Sequence, residues 1–104
     1  MPRLAFKMQL NPGAEAEYQK RHDEIWPELK ELLKNAGILR YSIFLDEETR
    51  SLIAVMEVTD EVAVDELPKH PVMQKWWLFM EDIMDVNPNH SPVSIPLKEV
   101  FYLE

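Results

Sequence analysis

In residues 3–10, RLAFKMQL, the apolar side chains Leu4, Phe6, Met8 and Leu10 alternate with Arg3, Ala5, Lys7 and Gln9. A period of two belongs to a strand with one buried face, so a first strand runs from Arg3 to Leu10. The period then changes. Beyond Asn11-Pro12-Gly13, where Asn11 or Gly13 can cap a helix, Ile25, Leu29, Leu32, Leu33 and Ala36 recur at helical spacing. That helix ends near Asn35-Ala36-Gly37, with Gly37 suited to a left-handed cap. Period two returns in LRYSIFL (39–45) and SLIAVMEV (51–58), which the polar turn DEETR joins into an antiparallel hairpin. In the first of these, Leu39, Tyr41, Ile43 and Leu45 share a face.

An acidic segment from Asp60 to Leu67 makes a helical turn or two before Pro68 and Pro71 interrupt it. From Val72 to about Met84, the stripe Val72, Met73, Trp76, Trp77, Met80, Ile83, Met84 is again helical. NPNHSPVSIP (87–96) has three prolines and reads as an extended loop, and LKEVFYLE (97–104) reads as a last strand. The order β, α, β, β, α, β is the split βαβ pattern of an α+β, ferredoxin-like sandwich, an antiparallel sheet with its helices on one face. The other face is left open and too apolar for water, so a homodimer is expected, formed through open faces or sheet edges. No repeat or linker divides the chain, and residues 1–104 read as one domain.

Charge and composition narrow the function. Lys and Arg number 11 against 19 Asp and Glu, a net charge of -8, with no basic run to track phosphates. Nucleic acid is therefore excluded as a partner, and a neutral small molecule is favoured over a phosphorylated or carboxylated one. Cysteine is absent, which removes disulfides, thiolate metal sites and a cysteine nucleophile. Lys7 and Gln9 interrupt the N-terminal apolar residues, so no signal peptide or membrane span is read there, and a cytoplasmic location is expected. Asn89-His90-Ser91 matches a glycosylation sequon by chance. With only Gly13 and Gly37, the chain has no phosphate loop, nucleophile elbow or dinucleotide fingerprint.

Chemistry enters where polar residues sit on apolar stripes. Tyr18 and His22 are four apart, so on a helix they project one above the other, in line with Ile25 and Leu29. Either they close the edge of the core, satisfied by backbone, or they line a cavity. Pro27 bears on the choice: it kinks the helix near His22 and opens space, or it begins a second helix with Trp26 held out of the α region. Trp76 and Trp77 point about 100° apart on a helix, so one ring can be core while the other is not. As a pair they can also form a flat apolar platform for a sugar face. Tyr41 can offer a hydroxyl to the same space. His22-Asp23-Glu24 diverge on a helix and lack the second histidine of an H-E-x-x-H site, so no metal is expected. His70 and His90, beside prolines in loops, are expected to be exposed.

Taken together, YQKRHDEIWPEL, QKWWLFM and SPVSIPLKEVFYL make the whole chain resemble the L-rhamnose mutarotase family, sugar 1-epimerases of bacterial rhamnose catabolism. The resemblance implies a cofactor-free, dimeric, ferredoxin-like isomerase. Its pocket would use a helical tyrosine and histidine, a strand tyrosine and a tryptophan pair, here Tyr18, His22, Tyr41, Trp76 and Trp77, with the histidine as proton donor. One departure is His90 in NPNHSPVS, where a second Asn or Asp is the family expectation.

Interconverting anomers requires only that a proton reach the ring oxygen while another leaves the anomeric hydroxyl. An imidazole titrating near neutrality suits that task, so the expected assignment is His22 as general acid, Tyr18 and Tyr41 binding hydroxyls, and Trp76 with Trp77 as platform. Two rivals share the outline: a monooxygenase or haem-binding enzyme of the same dimeric fold, and a ligand-binding module without chemistry.

Overall fold

The computed structural model describes residues 2–104. Strand β1 (Arg3–Gln9) pairs antiparallel with β3 (Ser51–Val58), and β2 (Ile38–Asp46) pairs with the far side of β3. A two-residue β4 (Ile95–Pro96) adds to the free edge of β1, giving the order β2-β3-β1-β4. The register places Leu4, Phe6 and Met8 opposite Met56, Ala54 and Leu52 on one face. Tyr41, Ile43 and Leu45 of β2 join them opposite the same three residues. Helices α1 (Glu15–Asp23), α2 (Pro27–Asn35) and α4 (Pro71–Met80) pack on this face, with a short α3 (Glu61–Asp65) and a 3-10 turn (Leu67–Lys69) leading into α4. Between sheet and helices lies a core in which Leu10, Leu29, Leu52 and Val58 are fully buried.

The α+β ferredoxin-like arrangement is thus the one the order of periods predicts, and the deviations from it have local causes. Proline divides the first helix in two: Trp26 is extended (ψ 132°) and Pro27 stands at the first turn of α2, where its missing N–H costs nothing. Neither Asn11 nor Gly13 is the cap of α1; the cap is Ala14, whose N–H donates to the Asn11 carbonyl at 3.2 Å. Gly37 does take the left-handed conformation (φ +91°), and a Cβ there would strike the Thr59 hydroxyl. A bulge between Ile38 and Arg40 removes Leu39 from the face of Tyr41, Ile43 and Leu45 and leaves it 47% exposed. Helix α4 stops at Met80 rather than Met84, although Ile83 and Met84 remain buried and Met84 bridges to Leu10.

At the C-terminus the expectation fails. The last strand is Ile95–Pro96, inside the proline-rich stretch read as a loop, while residues 97–104 form no strand. Proline is tolerated because β4 is an edge, and the ladder continues through the Leu97 N–H to the Ala5 carbonyl at 2.9 Å. Beyond it, Val100, Phe101, Tyr102 and Leu103 are exposed, and Glu99 pairs with Arg3 (2.7 Å) while the Arg3 guanidinium covers the Tyr102 ring. On the helix-free face, Phe44, Ile53, Lys7 and Ile95 are aligned across all four strands, and Phe44 and Ile95 are open to solvent. Among the described residues, no helix is long and apolar enough to cross a membrane.

Candidate active site

Helix α1 is one of the less apolar elements of the chain, yet it turns two side chains inward. Tyr18 is buried and His22, one turn later, is half-buried. Their rings stack at 4.3 Å between centroids with 31° between planes. His22 Nδ1 lies 3.0 Å from the Tyr18 carbonyl oxygen. A carbonyl can only accept, so Nδ1 carries the proton and donates. Nε2 is then the nitrogen left for a ligand. Arg21 braces the helix from outside, donating to Glu17 (2.8 Å), to Asp82 (2.8 Å) and to the Phe79 carbonyl (2.6 Å) beyond the site. That guanidinium holds the Asp82 carboxyl below the usual carboxylate range.

Opposite α1, Trp76 of α4 is buried and meets the His22 ring edge-on, 5.5 Å away at 90°. Trp26 in turn meets Trp76 at 5.1 Å and 88°, so the imidazole is backed by two indoles. Trp77, the next residue on α4, is half-buried. The 100° between adjacent helical positions separates the pair as expected: Trp76 belongs to the core and offers the site an edge, while Trp77 can offer more of its surface.

Two adjoining cavities of about 780 and about 810 Å³ meet between the helices and the sheet, and Tyr18, His22, Tyr41, Ile43, Met73 and Trp76 line both. The larger also takes in Trp77. All five side chains singled out in the sequence border the larger cavity, Tyr18 and Trp76 as residues that also belong to the core and His22 with one nitrogen satisfied by backbone. A volume of this size is ordinary for a small-molecule pocket.

Burial sets the protonation states. Loss of solvation lowers the His22 pKa below its ordinary 6.5, against smaller opposing effects of the Tyr18 carbonyl and Asp23. The Tyr18 phenol is pushed well above the ordinary range by burial and by the neighbouring Tyr41. Tyr41 is pushed up to about 12 by desolvation, although the residue, on the edge strand β2, is 38% exposed. At neutral pH the site thus holds a neutral imidazole with a lone pair on Nε2 and two intact phenols that can donate.

Several residues escaped the sequence reading. Asn87, Asn89 and Ser91, from the proline-rich loop after α4, line the larger cavity beside Trp77. The signal was available in the density of side-chain amides and hydroxyls in a loop that follows the tryptophan helix. The two loop histidines are exposed as expected but have partners: His70 Nδ1 accepts from the Val72 N–H and so caps α4, and His90 Nδ1 lies 2.6 Å from the Glu81 carboxylate. Among the described residues, no three His, Asp or Glu side chains converge as a metal site requires.

The fold and the inward-facing helix-sheet cavity define a ferredoxin-like α+β class, which includes a dimeric ferredoxin-like protein from an uncultured marine organism at TM-score 0.58 and 14% identity, covering 97% of this chain and 96% of that one. Likeness at that identity shows the fold alone. A much nearer match is the crystal structure of an L-rhamnose mutarotase from Formosa agariphila, with TM-score 0.94, 55% identity and complete coverage of both chains. A relative from a Jannaschia species, also an L-rhamnose mutarotase, is 55% identical over 103 residues, 99% of each chain. Residues 3–103 match the family model of L-rhamnose mutarotase, and the chain belongs to that family.

Proposed function

We infer that the protein interconverts the α- and β-anomers of L-rhamnose, and that His22 carries the proton. The observation supporting this most directly is the tethered imidazole: Nδ1 is committed to the Tyr18 carbonyl, so a single nitrogen, Nε2, is left for chemistry in the cavity. The anomeric oxygen and the ring oxygen are both bonded to C1, so one nitrogen can reach each in turn. Neutral Nε2 takes the proton from the anomeric hydroxyl as the carbonyl forms and the bond from C1 to the ring oxygen breaks. The imidazolium then gives that proton to the ring oxygen. Rotation of the freed aldehyde and the reverse sequence on its other face yield the second anomer, with His22 neutral again. The expected general-acid role becomes the second half of a cycle that starts with a base, because desolvation favours the neutral ring.

In this reading the phenols of Tyr18 and Tyr41 hold hydroxyls as donors, and the exposed part of Trp77, with the edge of Trp76, packs against the apolar face of the ring. A neutral sugar also suits a chain whose net charge is -8. The helix-free sheet face with Phe44 and Ile95, and the apolar side chains of residues 100–103, support pairing of two copies as the cover for this surface. Light scattering that gives a monomer at micromolar concentration would refute that pairing. A cytoplasmic location belongs to the same proposal, and cell fractionation tests it.

The decisive experiment is exchange NMR on L-rhamnose at anomeric equilibrium. Added protein should transfer saturation between the two anomeric protons far faster than buffer does, and equally well with a chelator present. Saturation transfer at the uncatalysed rate, with binding still visible, would make the protein a ligand-binding module. A Soret band on titration with haem would instead revive the haem-enzyme alternative.

A further inference from the structure

The loop after α4 is closed by its own backbone. The Asn87 N–H donates to the Ser91 carbonyl at 2.7 Å, the His90 N–H donates to the Asn87 carbonyl at 2.8 Å, and Val86 bridges to Pro92. His90 takes a left-handed conformation (φ +73°) to make this turn, and its contact with Glu81 ties the loop to the end of the helix that bears the tryptophans.

Within the loop, three side chains form a chain of hydrogen bonds. Asn87 Nδ2 donates to Ser91 Oγ at 3.0 Å and to the Pro92 carbonyl at 3.4 Å. Ser91 N–H and Ser91 Oγ both donate to Asn89 Oδ1, at 3.1 and 2.5 Å. The backbone partners fix which end of each amide is which. A carbonyl cannot donate, so the Asn87 atom facing Pro92 is the nitrogen; a backbone N–H cannot accept, so the Asn89 atom facing Ser91 is the oxygen. Two atoms remain without a protein partner among the described residues: Asn87 Oδ1, an acceptor, and Asn89 Nδ2, a donor.

We propose that Asn87 and Asn89 form the hydroxyl-recognition end of the cavity, Asn87 Oδ1 accepting from and Asn89 Nδ2 donating to sugar hydroxyls remote from C1, with Ser91 as the positioning residue. The placement carries the idea. His22, both phenols, Trp77 and the loop amides line one cavity whose other walls are largely aromatic and aliphatic, so Asn87 and Asn89 supply it with polar groups of defined sense from an element other than α1 and β2. A hydroxyl is recognised well where its donor and acceptor demands are both met in fixed geometry, and an analogue lacking it leaves those groups unpaired. The proposal rests on the mutarotase reading and deepens it by assigning the residues that select the sugar.

The test compares wild type, Asn87→Ala and Ser91→Ala on L-rhamnose and its 2-, 3- and 4-deoxy analogues, by anomer exchange and by calorimetric binding. Asn87→Ala should raise KM and Kd for L-rhamnose about three- to tenfold, with kcat within about twofold. One analogue, lacking the hydroxyl that Asn87 holds, should be bound equally by wild type and variant. Ser91→Ala should show the same pattern at smaller size. Unchanged binding of L-rhamnose by Asn87→Ala, or an equal loss on every analogue, would overturn the proposal. Should Asn87→Ala not fold, Asn89→Ala is read in the same way. A wild type that binds L-rhamnose without exchanging its anomers would sink the mutarotase reading, and calorimetry on the variants would still decide the role of the loop.

Discussion

His22 donates its Nδ1–H to the carbonyl of Tyr18, one helical turn earlier, while the Tyr18 ring stacks on the imidazole. One residue therefore sets both the tautomer and the tilt of the other, and their i, i+4 spacing makes this possible only on intact helix. The helix ends one residue later, at Asp23, because Pro27 and the extended Trp26 forbid its continuation. Ending there leaves His22 half-buried at a cavity margin rather than packed against a following turn.

Acid should silence the enzyme through this ring. Since burial lowers the His22 pKa below 6.5, kcat/KM, corrected for the buffer reaction, should be flat above that value and fall only at more acid pH. Stability follows the same group. The unfolded chain takes up the proton first as pH falls through about 6.5, so the contribution of His22 is complete above that point and is lost as pH descends to the folded pKa. Urea midpoints of wild type and His22→Asn at several pH values check this: the difference between them should be constant above neutrality and move against the wild type as the pH falls below about 6.5. An activity midpoint above 6.5 would contradict the desolvated ring.

Removing the imidazole should cost the reaction and spare the fold. His22→Ala should lower kcat by roughly 10²- to 10⁴-fold, the usual worth of a positioned acid or base. Kd for L-rhamnose should change far less. Retention of wild-type exchange by this variant would move the chemistry to another residue in the same cavity.

The phenols should behave as donors only. Both are pushed toward high pKa, Tyr41 to about 12 and Tyr18 further, so neither should introduce a fall in activity on the alkaline side up to about pH 10. Tyr18→Phe and Tyr41→Phe each remove one hydroxyl and keep the ring, which should cost about 2- to 12-fold in kcat/KM. Because the Tyr18 carbonyl and ring stay, Tyr18→Phe should leave the acid midpoint in place. A shift of that midpoint would show that the hydroxyl adds to the burial that sets the His22 pKa.

Period carried most of the architecture in the sequence. The alternation of Leu4, Phe6 and Met8 appears directly as the helix-facing register of β1, with Leu10 buried just past its end, and Tyr18 with His22 lie on one side of α1 because i and i+4 must. What periodicity did not reveal depends on partners distant in sequence. Ile95–Pro96 is a strand because the free edge of β1 accepts it, not because of its own propensity, whereas residues 97–104 have high strand propensity but make no strand. The amides of Asn87 and Asn89 were hidden for a related reason. Their meaning comes from the hydrogen bonds of Ser91 and Pro92, and from a cavity that exists only once α4 is laid against the sheet.

The two tryptophans should part company when each is truncated. Trp76 is only 6% exposed and touches Trp26, Phe79 and His22, so Trp76→Ala should destabilise by about 3–5 kcal/mol, as large core truncations do. That loss would also release the edge contact that backs the imidazole, so kcat should fall together with stability. Trp77 is half-buried and lines the larger cavity, so Trp77→Ala should shift the urea midpoint much less while raising KM for L-rhamnose. Denaturation curves and exchange kinetics on the two variants separate core from platform. If Trp77→Ala unfolds as readily as Trp76→Ala and binds the sugar normally when folded, the platform role goes, and the apolar face of the sugar must be met by Met73 or the edge of Trp76 instead.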